Sequence, residues 1–486
     1  MRPVVTVAEM KAIDAEALVG GSVQPLVERA GAAVARTALA MLGGTYGRRV
    51  VVVAGKGHNG DDGRVAADLL RRRGVRVNVM AAASSPSRDR ADTSVHLPDC
   101  HLVIDAAYGT GFRGDYWAPA VPAGARVLSV DIPSGVAGDS GEVGQGGVVA
   151  DATVTFAALK PGLVQGAGRW HAGQVEVADI GLDVSRARIH VVDDAEVARL
   201  LPRRRPEGHK WDTAVAVVAG SPGMLGAAHL CSRAAMRAGA GMVRLEVPGA
   251  APSDLPADEV VARTLPPAGW EEDVLADLSR CKALVVGPGL GRGPEVAAAV
   301  RHLVARAEVA MLVDADGLNA LGDAESVAEL AGRRTHPLVL TPHAGEFARL
   351  AGRPPGPDHV GAARELARRC GAIVLLKGTT TVVAHPDGGV LMCLAGSPRL
   401  ATAGTGDVLS GVIGALLAGG MDALSAAGLG AHIHGRAADL GAAEGLVAGD
   451  LLDLLPRWLS RMVVGGVGVA GGLAATGGAG WLDDGG

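Results

Sequence analysis

The chain has 486 residues, of which 48% are hydrophobic, and its formal net charge is −5. A single hydrophobic core rarely serves a chain of this length, so we expect two domains. The small net charge gives no reason to expect a nucleic-acid partner. Apolar runs are interrupted by glycines or charges before they reach the roughly 20 residues of a membrane helix, so we expect no membrane partner.

The cysteines indicate a reducing compartment. They are five in number, widely separated and never in a CxxC arrangement: Cys100, Cys231, Cys281, Cys370 and Cys393. This pattern supports neither a disulfide framework nor a zinc site. The N-terminus also lacks the charged and then apolar pattern of a signal peptide, so we expect a cytoplasmic protein.

The first half begins with helical spacing over residues 4–42 and a continuous apolar strand at residues 50–54. The glycine-rich stretch GKGHNGDDG follows at residues 55–63, and a helix is predicted over residues 64–73. Strand, glycine loop and helix in this order are typical of the nucleotide-binding opening of a doubly wound sheet.

The glycine loop does not fit an ordinary NAD dehydrogenase. Its G-x-G-x-x-G match is weak, because no acidic residue follows the next strand, residues 75–80, where one would bind the ribose. The loop instead carries polar side chains of its own: His58, Asn59, Asp61 and Asp62.

Two further strands lead into aspartates, Asp105 and Asp131, and each is followed by a polar glycine loop, residues 109–115 and residues 132–135. Because the carboxyl ends of parallel strands meet along one crevice, we expect one oxygen-rich group there, which could hold a cation or a polyhydroxylated ligand. Its members are Asn59, Asp62, Asp105, Asp131 and Ser134. Lys160, after the next strand, could meet a phosphate or lie in solvent.

After the arginine-rich linker at residues 202–208, the second half resumes the alternation of strands and helices. Strands are predicted at residues 214–219, 242–247, 283–286, 310–313, 337–340 and 372–376. Small or polar loops follow most of them: GSPGMLGAA, GPGLG, DADGLN, TPHAGE and KGTTT.

The stretch ATAGTGDVLSG at residues 401–411 carries the chemistry of this half. Backbone N–H groups at Gly404, Thr405 and Gly406 can hold an anion ahead of a helix, and Asp407 can act as a general base. The combination predicts phosphoryl transfer to an alcohol. The absence of a GxxxxGK[ST] loop and of HRD and DFG motifs excludes P-loop enzymes and protein kinases.

Together these motifs resemble a known pair of enzyme families. GKGHNGDDG, VIDAAYGTGFRGD and VDIPSG resemble the YjeF N-terminal family of NAD(P)H-hydrate epimerases. The loops of the second half, through LLKGTTT and ATAGTGDVLSG, resemble the ADP-dependent NAD(P)H-hydrate dehydratases of the ribokinase-like superfamily. The resemblance implies an N-terminal Rossmann-like three-layer α/β/α domain and a C-terminal ribokinase-like α/β domain.

For the first domain, residues 1–195, the resemblance implies epimerisation of R and S NAD(P)HX, with Asp131 catalytic and K⁺ held by Asn59, Asp105 and Ser134. The implied substrate contacts are His58, Asn59, Gly60, Asp61, Asp62, Gly109, Thr110, Gly111, Phe112, Arg113, Gly114, Asp115, Tyr116 and Asp131. The family more often has GNNGGDG where this chain has GHNGDDG at residues 57–63, so His58 replaces an Asn and Asp61 replaces a Gly.

For the second domain, residues 205–464, the resemblance implies dehydration of S-NAD(P)HX with Mg²⁺ and ADP, giving AMP and phosphate. Asp407 would be the catalytic residue. The implied substrate contacts are Ala227, Gly289, Gly291, His343 and Asp407. The implied nucleotide contacts are Lys377, Gly378, Thr379, Thr380, Thr381 and Gly406. NADHX, NADPHX and ADP are therefore the expected partners, together with a homo-oligomer.

Two alternatives stay open at this point. The chain could be a sugar or vitamin kinase fused to a binding module, although His343 stands where ribokinase relatives more often have Asn. The first half could also be a non-catalytic ligand-binding domain. Residues 465–486 are rich in Gly and Ala without periodicity and are expected to form a disordered tail.

Overall fold

The computed structural model describes residues 1–18, 23–82, 96–112, 114, 116–256 and 258–470, the last seven of them by backbone alone. Arg113 and Asp115, two expected substrate contacts, lie outside the described residues, as do residues 471–486 of the expected tail. The described chain forms two sheets, one of 6 strands and one of 11.

The strands and helices follow the chain in this order. The strands are β1 (Arg2–Val4), β2 (Arg49–Ala54), β3 (Arg76–Ala81), β4 (Leu102–Ala106), β5 (Arg126–Val130), β6 (Ala152–Phe156), β7 (Gln174–Ala178), β8 (Ile189–Val191), β9 (Ala214–Val218), β10 (Met242–Pro248), β11 (Val261–Leu265), β12 (Ala283–Val286), β13 (Ala310–Val313), β14 (Leu338–Leu340), β15 (Ile373–Leu376), β16 (Thr381–Ala384) and β17 (Val390–Cys393). The helices are α1 (Val7–Leu18), α2 (Gln24–Leu42), α3 (His58–Arg72), α4 (Gly168–His171), α5 (Asp194–Leu200), α6 (Leu225–Arg237), α7 (Glu271–Asp277), α8 (Pro294–Arg306), α9 (Asp316–Leu321), α10 (Ala324–Ala331), α11 (Ala344–Ala351), α12 (His359–Cys370), α13 (Thr405–Ala418), α14 (Ala423–Ala438) and α15 (Ala448–Ala470).

The 6-stranded sheet has the order β3-β2-β4-β5-β6-β7, and all of its neighbours are parallel. Its central strands β2 and β4 are buried from Val50 to Ala54 and from Leu102 to Ala106 because both faces are covered. Helices α2 and α3 pack on one face, where Val34, Ala66 and Leu70 join a common core. The carboxyl ends of the parallel strands form the edge at which the polar loops meet.

The 11-stranded sheet has the order β1-β8-β17-β16-β15-β14-β13-β12-β9-β10-β11. Strands β9 to β15 are parallel to their neighbours, and β16 and β17 form an antiparallel extension. Helices α6, α13, α14 and α15 cover one face, and α8 to α12 cover the other. The prediction of two α/β domains is confirmed.

The two halves of the chain are joined by more than the linker. The short strands β1 and β8 lie before residue 195 in sequence, yet β8 pairs with β17 and extends the larger sheet. Directly after β1, the chain enters the smaller domain. There the Val5 amide donates to the Leu159 carbonyl at 2.9 Å. Residues 1–195 therefore contribute strands to both sheets.

Three local predictions need correction. The glycine stretch at residues 55–63 is a loop only to Gly57, because α3 begins at His58. The predicted helical run over residues 4–42 contains the strand β1 up to Val4. Helix α15 continues to Ala470, so the first residues of the expected tail are helical.

Candidate active sites

The first site lies at the carboxyl ends of β2, β4 and β5. Gly109 is its centre, because a Cβ placed there would lie 3.2 Å from Asp131 Oδ2 and 3.4 Å from Asn59 Oδ1. The Thr110 amide also donates to Asp131 Oδ2, at 3.4 Å. The absence of a side chain at Gly109 therefore lets the 109–112 loop pass directly over both polar groups.

Asp131 is fixed by an ion pair that sequence analysis missed. Its Oδ1 lies 2.8 Å from the ammonium of Lys160, which is 1% exposed and also donates to Thr155 Oγ1 at 2.9 Å. The alternatives raised for Lys160, a phosphate ligand or a solvated side chain, are both wrong, because this lysine is buried beneath the site. Asp131 itself has a left-handed backbone, with φ 65°.

A second carboxyl group of the same site is neutral over much of the physiological range. Burial, followed by the charges of Asp131 and Asp61, raises the pKa of Asp62 to about 8. Asp14 of α1 is half-buried; burial raises its pKa, and it senses the charges of Lys160, Asp131 and His58. Helix α1 thus brings a further carboxyl group to the crevice, one that no motif indicated.

Asp105 and Ser134 form a buried pair behind the loop. Asp105 is 3% exposed and accepts bonds from Ser134 Oγ at 2.6 Å, the Ser134 amide at 2.8 Å and Ser129 Oγ at 3.0 Å. Burial raises the pKa of Asp105. Among the residues that the structure describes, no cation pairs with this carboxyl group.

The remaining expected contacts of the first domain differ in exposure. Asp61 is ion-paired to Arg64 at 2.9 Å on the outer side of α3. Tyr116 is 2% exposed, and its ring packs against Tyr108 and Phe112 with centroids 5.2 and 6.3 Å away. Tyr116 therefore supports the loop from beneath, and a direct contact with ligand stays a prediction.

The second site lies at the N-terminus of α13. Gly404 takes a left-handed conformation, φ 87°, and a Cβ there would lie 2.5 Å from Leu230 Cδ1, so only glycine fits. Asp407 stands in the first helical turn. Burial, followed by the charge of Asp314, raises its pKa to about 6, while Lys377 acts in the opposite direction.

Asp314 organises the floor of this site and was not singled out by the sequence analysis. Its carboxylate accepts bonds from Lys377 Nζ at 2.7 Å and from Ser410 Oγ at 2.7 Å, and it is 1% exposed. Lys377 Nζ would lie 3.4 Å from a Cβ at Gly406, so its charge adjoins the anion loop. The DADGLN loop was visible in the sequence, but its lysine partner is 63 residues away.

His343 caps helix α11, and the Nε2 atom of its exposed ring lies 3.5 Å from Glu346 Oε1. Its Nδ1 accepts the amides of Gly345 at 2.9 Å and Glu346 at 3.3 Å, so the ring proton is on Nε2. The side chain of Glu346 returns a bond to the His343 amide at 2.9 Å. Glu346 is thus part of a capping box with His343.

The substrate loops of the second domain approach each other closely. A Cβ at Gly289 would lie 3.0 Å from the Ala227 side chain, and Ser221 Oγ donates to the Gly289 carbonyl at 2.9 Å. The Gly291 amide donates to Asp316 at 3.0 Å. Ala227, in the first turn of α6, therefore adjoins the loop that carries Gly289 and Gly291.

The nucleotide loop, residues 377–381, divides into exposed and buried parts. Gly378 and Thr379 are exposed. Thr380 is 1% exposed, and its hydroxyl donates to the Val164 carbonyl of the first domain at 2.6 Å. The Thr380 side chain is therefore not available to a nucleotide, which corrects that part of the prediction.

Comparison with known proteins decides the family. A family model described as NAD(P)H-hydrate dehydratase matches residues 215–460, and one described as YjeF-related protein N-terminus matches residues 23–97 and 82–162. The bifunctional NAD(P)H-hydrate repair enzyme of Moorella thermoacetica is 37% identical, over 85% of this chain and 88% of its own length. The chain belongs to the bifunctional NAD(P)H-hydrate repair enzymes.

Other members of this repair-enzyme family agree. The Mycobacterium tuberculosis H37Rv enzyme is 41% identical over 78% of this chain and 80% of its own length, and the Escherichia coli K12 enzyme is 33% identical over 84% and 85%. A Bacillus subtilis ADP/ATP-dependent NAD(P)H-hydrate dehydratase, crystallised with ATP/Mg²⁺, has TM-score 0.48 and 32% identity, covering 56% of this chain and 97% of that one. The full-length relatives favour the repair enzyme over the alternative of a kinase fused to a binding module.

Proposed function

We propose that the first domain interconverts the R and S forms of NADHX and NADPHX and that the second uses ADP to dehydrate the S form, giving NAD(P)H, AMP and phosphate. The observation that carries the proposal is the place of Asp407, with its raised pKa, between the anion loop and the Asp314–Lys377 pair. A base, a cation and helix N–H donors then surround one position. Family membership supports the same reaction.

In the second domain, Asp407 accepts the proton of the substrate hydroxyl as that oxygen attacks the terminal phosphorus of ADP, and AMP leaves. The amides at the N-terminus of α13 and the ammonium of Lys377 stabilise the charge of the transferred group. The phosphorylated hydrate then loses phosphate and a ring proton to restore the dihydronicotinamide. His343, at the N-terminus of α11, would donate a hydrogen bond to the substrate through Nε2–H.

In the first domain, inversion at the hydroxyl-bearing carbon requires one group that gives a proton to the departing hydroxyl and one that takes a proton from the returning water. Asp62, with a pKa of about 8, is protonated at neutral pH and can give the proton. Asp131, paired with Lys160, can accept the proton of the returning water. The loop over Gly109 would hold the hydrated ring between them.

The residues of the first site fit a K⁺ ion held by Asn59, Asp105 and Ser134. A buried carboxylate without a cation is costly, and Asp105 is such a group among the described residues. The amide nitrogen of Asn59 is buried without a partner, and a flip of the amide would present its oxygen instead. A bound K⁺ would offset the Asp105 charge and attract the pyrophosphate of the dinucleotide.

The other components of the proposal rest on general chemistry. Among the described residues no three His, Cys, Asp or Glu side chains are grouped to hold a metal. Mg²⁺ would therefore enter bound to the phosphates of ADP.

The five cysteines are buried and unpaired, which supports a reducing, cytoplasmic location. No helix in the described part of the chain could cross a membrane. The domain limits, 1–195 and 205–464, and a homo-oligomer also stay part of the proposal.

The test is to incubate the protein with an R and S hydrate mixture and ADP, ATP or neither, and to follow every species by chromatography. Asp407→Asn should slow nucleotide-driven dehydration by about 10² to 10⁴ and leave R/S exchange intact. Asp131→Asn should slow exchange and spare dehydration of the pure S form. Equal loss of both activities in either variant would overturn the division into two sites. Dehydration without any nucleotide would overturn the phosphorylation mechanism.

A further inference from the structure

The nucleotide loop of the second domain is held by a segment of the first. This bridging segment, residues 160–169, runs from Lys160 in the first site through a short 3-10 turn (Pro161–Leu163) to Arg169 at the start of α4. Val164 accepts the Thr380 hydroxyl at 2.6 Å, and both residues are at most 4% exposed. The contact is therefore a dry one in the domain interface.

Arg169 makes the larger set of contacts across the interface. Its Nη1 donates to the Thr379 carbonyl at 2.9 Å and to Thr380 Oγ1 at 3.4 Å, and its Nη2 donates to the Leu394 carbonyl at 2.9 Å. Leu394 follows β17, the strand that pairs with β16 directly after the nucleotide loop. One planar guanidinium thus ties the tip of the loop to the strand beside it.

Arg169 is one of the described arginines that hydrogen-bond without an ion pair, as Arg334 also does. It is only partly exposed, burial lowers its pKa, and it has no carboxylate partner among the described residues. A guanidinium without a counter-charge is retained only where its hydrogen bonds offset the cost of desolvation. Here the protein acceptors are all backbone or hydroxyl oxygens of the other domain.

The bridging segment is rigid enough to hold the loop in one position. The Gly162 amide donates to the Gly138 carbonyl at 2.7 Å, and the Gly168 amide donates to the Gly141 carbonyl at 2.7 Å. A Cβ at Gly162 would lie 2.2 Å from the Ala137 carbonyl oxygen, so the backbones are in direct contact. Leu163 and Val164 also belong to the core cluster that contains Met392 of β17.

We propose that Arg169 is a positioning residue for the dehydratase: from the epimerase domain, it holds the 377–381 loop in the conformation that binds ADP. The inference rests on the proposed function of that loop. Arg169 touches no reacting atom, so its loss should weaken ADP binding and leave the chemical step nearly unchanged. Without Arg169, the loop would have to be ordered at the moment when ADP binds. The free-energy cost of that ordering would lower the affinity for ADP.

The experiment measures ADP-dependent dehydration of the S hydrate by the full chain carrying Arg169→Ala, Arg169→Lys or Thr380→Val. We expect the KM for ADP to rise at least tenfold in Arg169→Ala and less in Arg169→Lys, with kcat within about twofold of the unmodified protein, as loss of a charge-assisted bond implies. Thr380→Val removes the bond to Val164 and the 3.4 Å bond from Arg169 but leaves the bonds of Arg169 to the Thr379 and Leu394 carbonyls, so it should raise KM by a smaller factor. Equilibrium dialysis with ADP alone should show the same order.

The matched control is Arg186→Ala, because Arg186 is 85% exposed and, within the described residues, its ion pair is with the exposed Glu16. It should keep the KM of the unmodified protein. An unchanged KM for ADP in Arg169→Ala, or a fall in kcat at unchanged KM, would refute the positioning role. Failure of the proposed function looks different, because the unmodified protein would then show no ADP-dependent dehydration at all. R/S exchange serves as the folding check in each variant.

Discussion

The ionisation of Asp407 should set the acid limit of dehydration. Burial and the neighbouring carboxylate of Asp314 raise its pKa to about 6, and a general base acts only when it is deprotonated. About 90% of the molecules carry the ionised base at pH 7 and about 10% at pH 5. At saturating ADP and S hydrate, kcat should therefore fall about tenfold between pH 7 and pH 5.

Two neighbouring aspartates allow the assignment to be tested without removing the base. Asp314→Asn removes the largest charge that raises the Asp407 pKa and also frees Lys377, which lowers it. Both effects shift the inflection of kcat to lower pH. Asp316 raises the same pKa more weakly, so Asp316→Asn should shift the inflection in the same direction by less.

The assay records NADH formation from the S hydrate at saturating ADP across a range of pH for each variant. Asp407→Asn should lower kcat by about 10² to 10⁴, the usual worth of a general base, which is about 3–5 kcal/mol of transition-state stabilisation. An inflection that stays in place in Asp314→Asn would assign it to another group. A residual activity in Asp407→Asn with the original pH profile would refute the role of Asp407 directly.

Three further predictions concern the first domain. Gly109→Ala should slow R/S exchange and spare dehydration of the S form, because the new Cβ would crowd Asp131 and Asn59; chromatography of the two epimers checks both. Asp62→Asn should lower exchange by about 10²-fold, while in the unmodified protein exchange should fall as the pH rises through about 8. The raised pKa of Asp62 means that the native state holds this proton more tightly than the unfolded state, so thermal stability should decline from about pH 4 to about 8, and less so in Asp62→Asn, by calorimetry. Asp105→Asn should make exchange insensitive to replacement of K⁺ by a larger organic cation in the buffer, whereas the unmodified protein should lose rate.

The long buried strands could be predicted from the sequence because they are continuous apolar runs between glycine loops. Strands β12 and β13 begin and end at the predicted residues. Strands β1 and β8 could not be predicted, because each has only three residues and owes its conformation to pairing with a distant segment. Helix α3 begins at His58, earlier than the predicted residue 64, because the glycines of its first turns are typical of a loop. Gly60 and Gly63 are there because a Cβ would meet the Gly55 carbonyl and the Ala106 side chain.

The residues of the candidate sites likewise divide into those that a local motif predicts and those that depend on a distant partner. Asn59, Asp131 and Asp407 were found because each lies in a polar motif next to a strand or a helix start. Lys160 and Asp314 take their roles from partners that lie far away in the sequence, Asp131 and Lys377 respectively, and no spacing rule connects them. The burial of Thr380 was equally hidden, since it depends on a contact between domains.

Backbone strain gives an independent reason to place function at these strand ends. The described non-glycine residues with positive φ are Asp131, Ala157 and Ala315, and each follows a strand of the sheet edge that bears a site. A left-handed non-glycine residue costs about 1–3 kcal/mol and persists where neighbouring structure fixes it. At Asp131 the fixing contact is a 2.7 Å bond from its amide to the Val154 carbonyl. Glycine would relieve this strain but supply no carboxylate, and asparagine tolerates the same backbone, which is why Asp131→Asn separates the charge from the conformation.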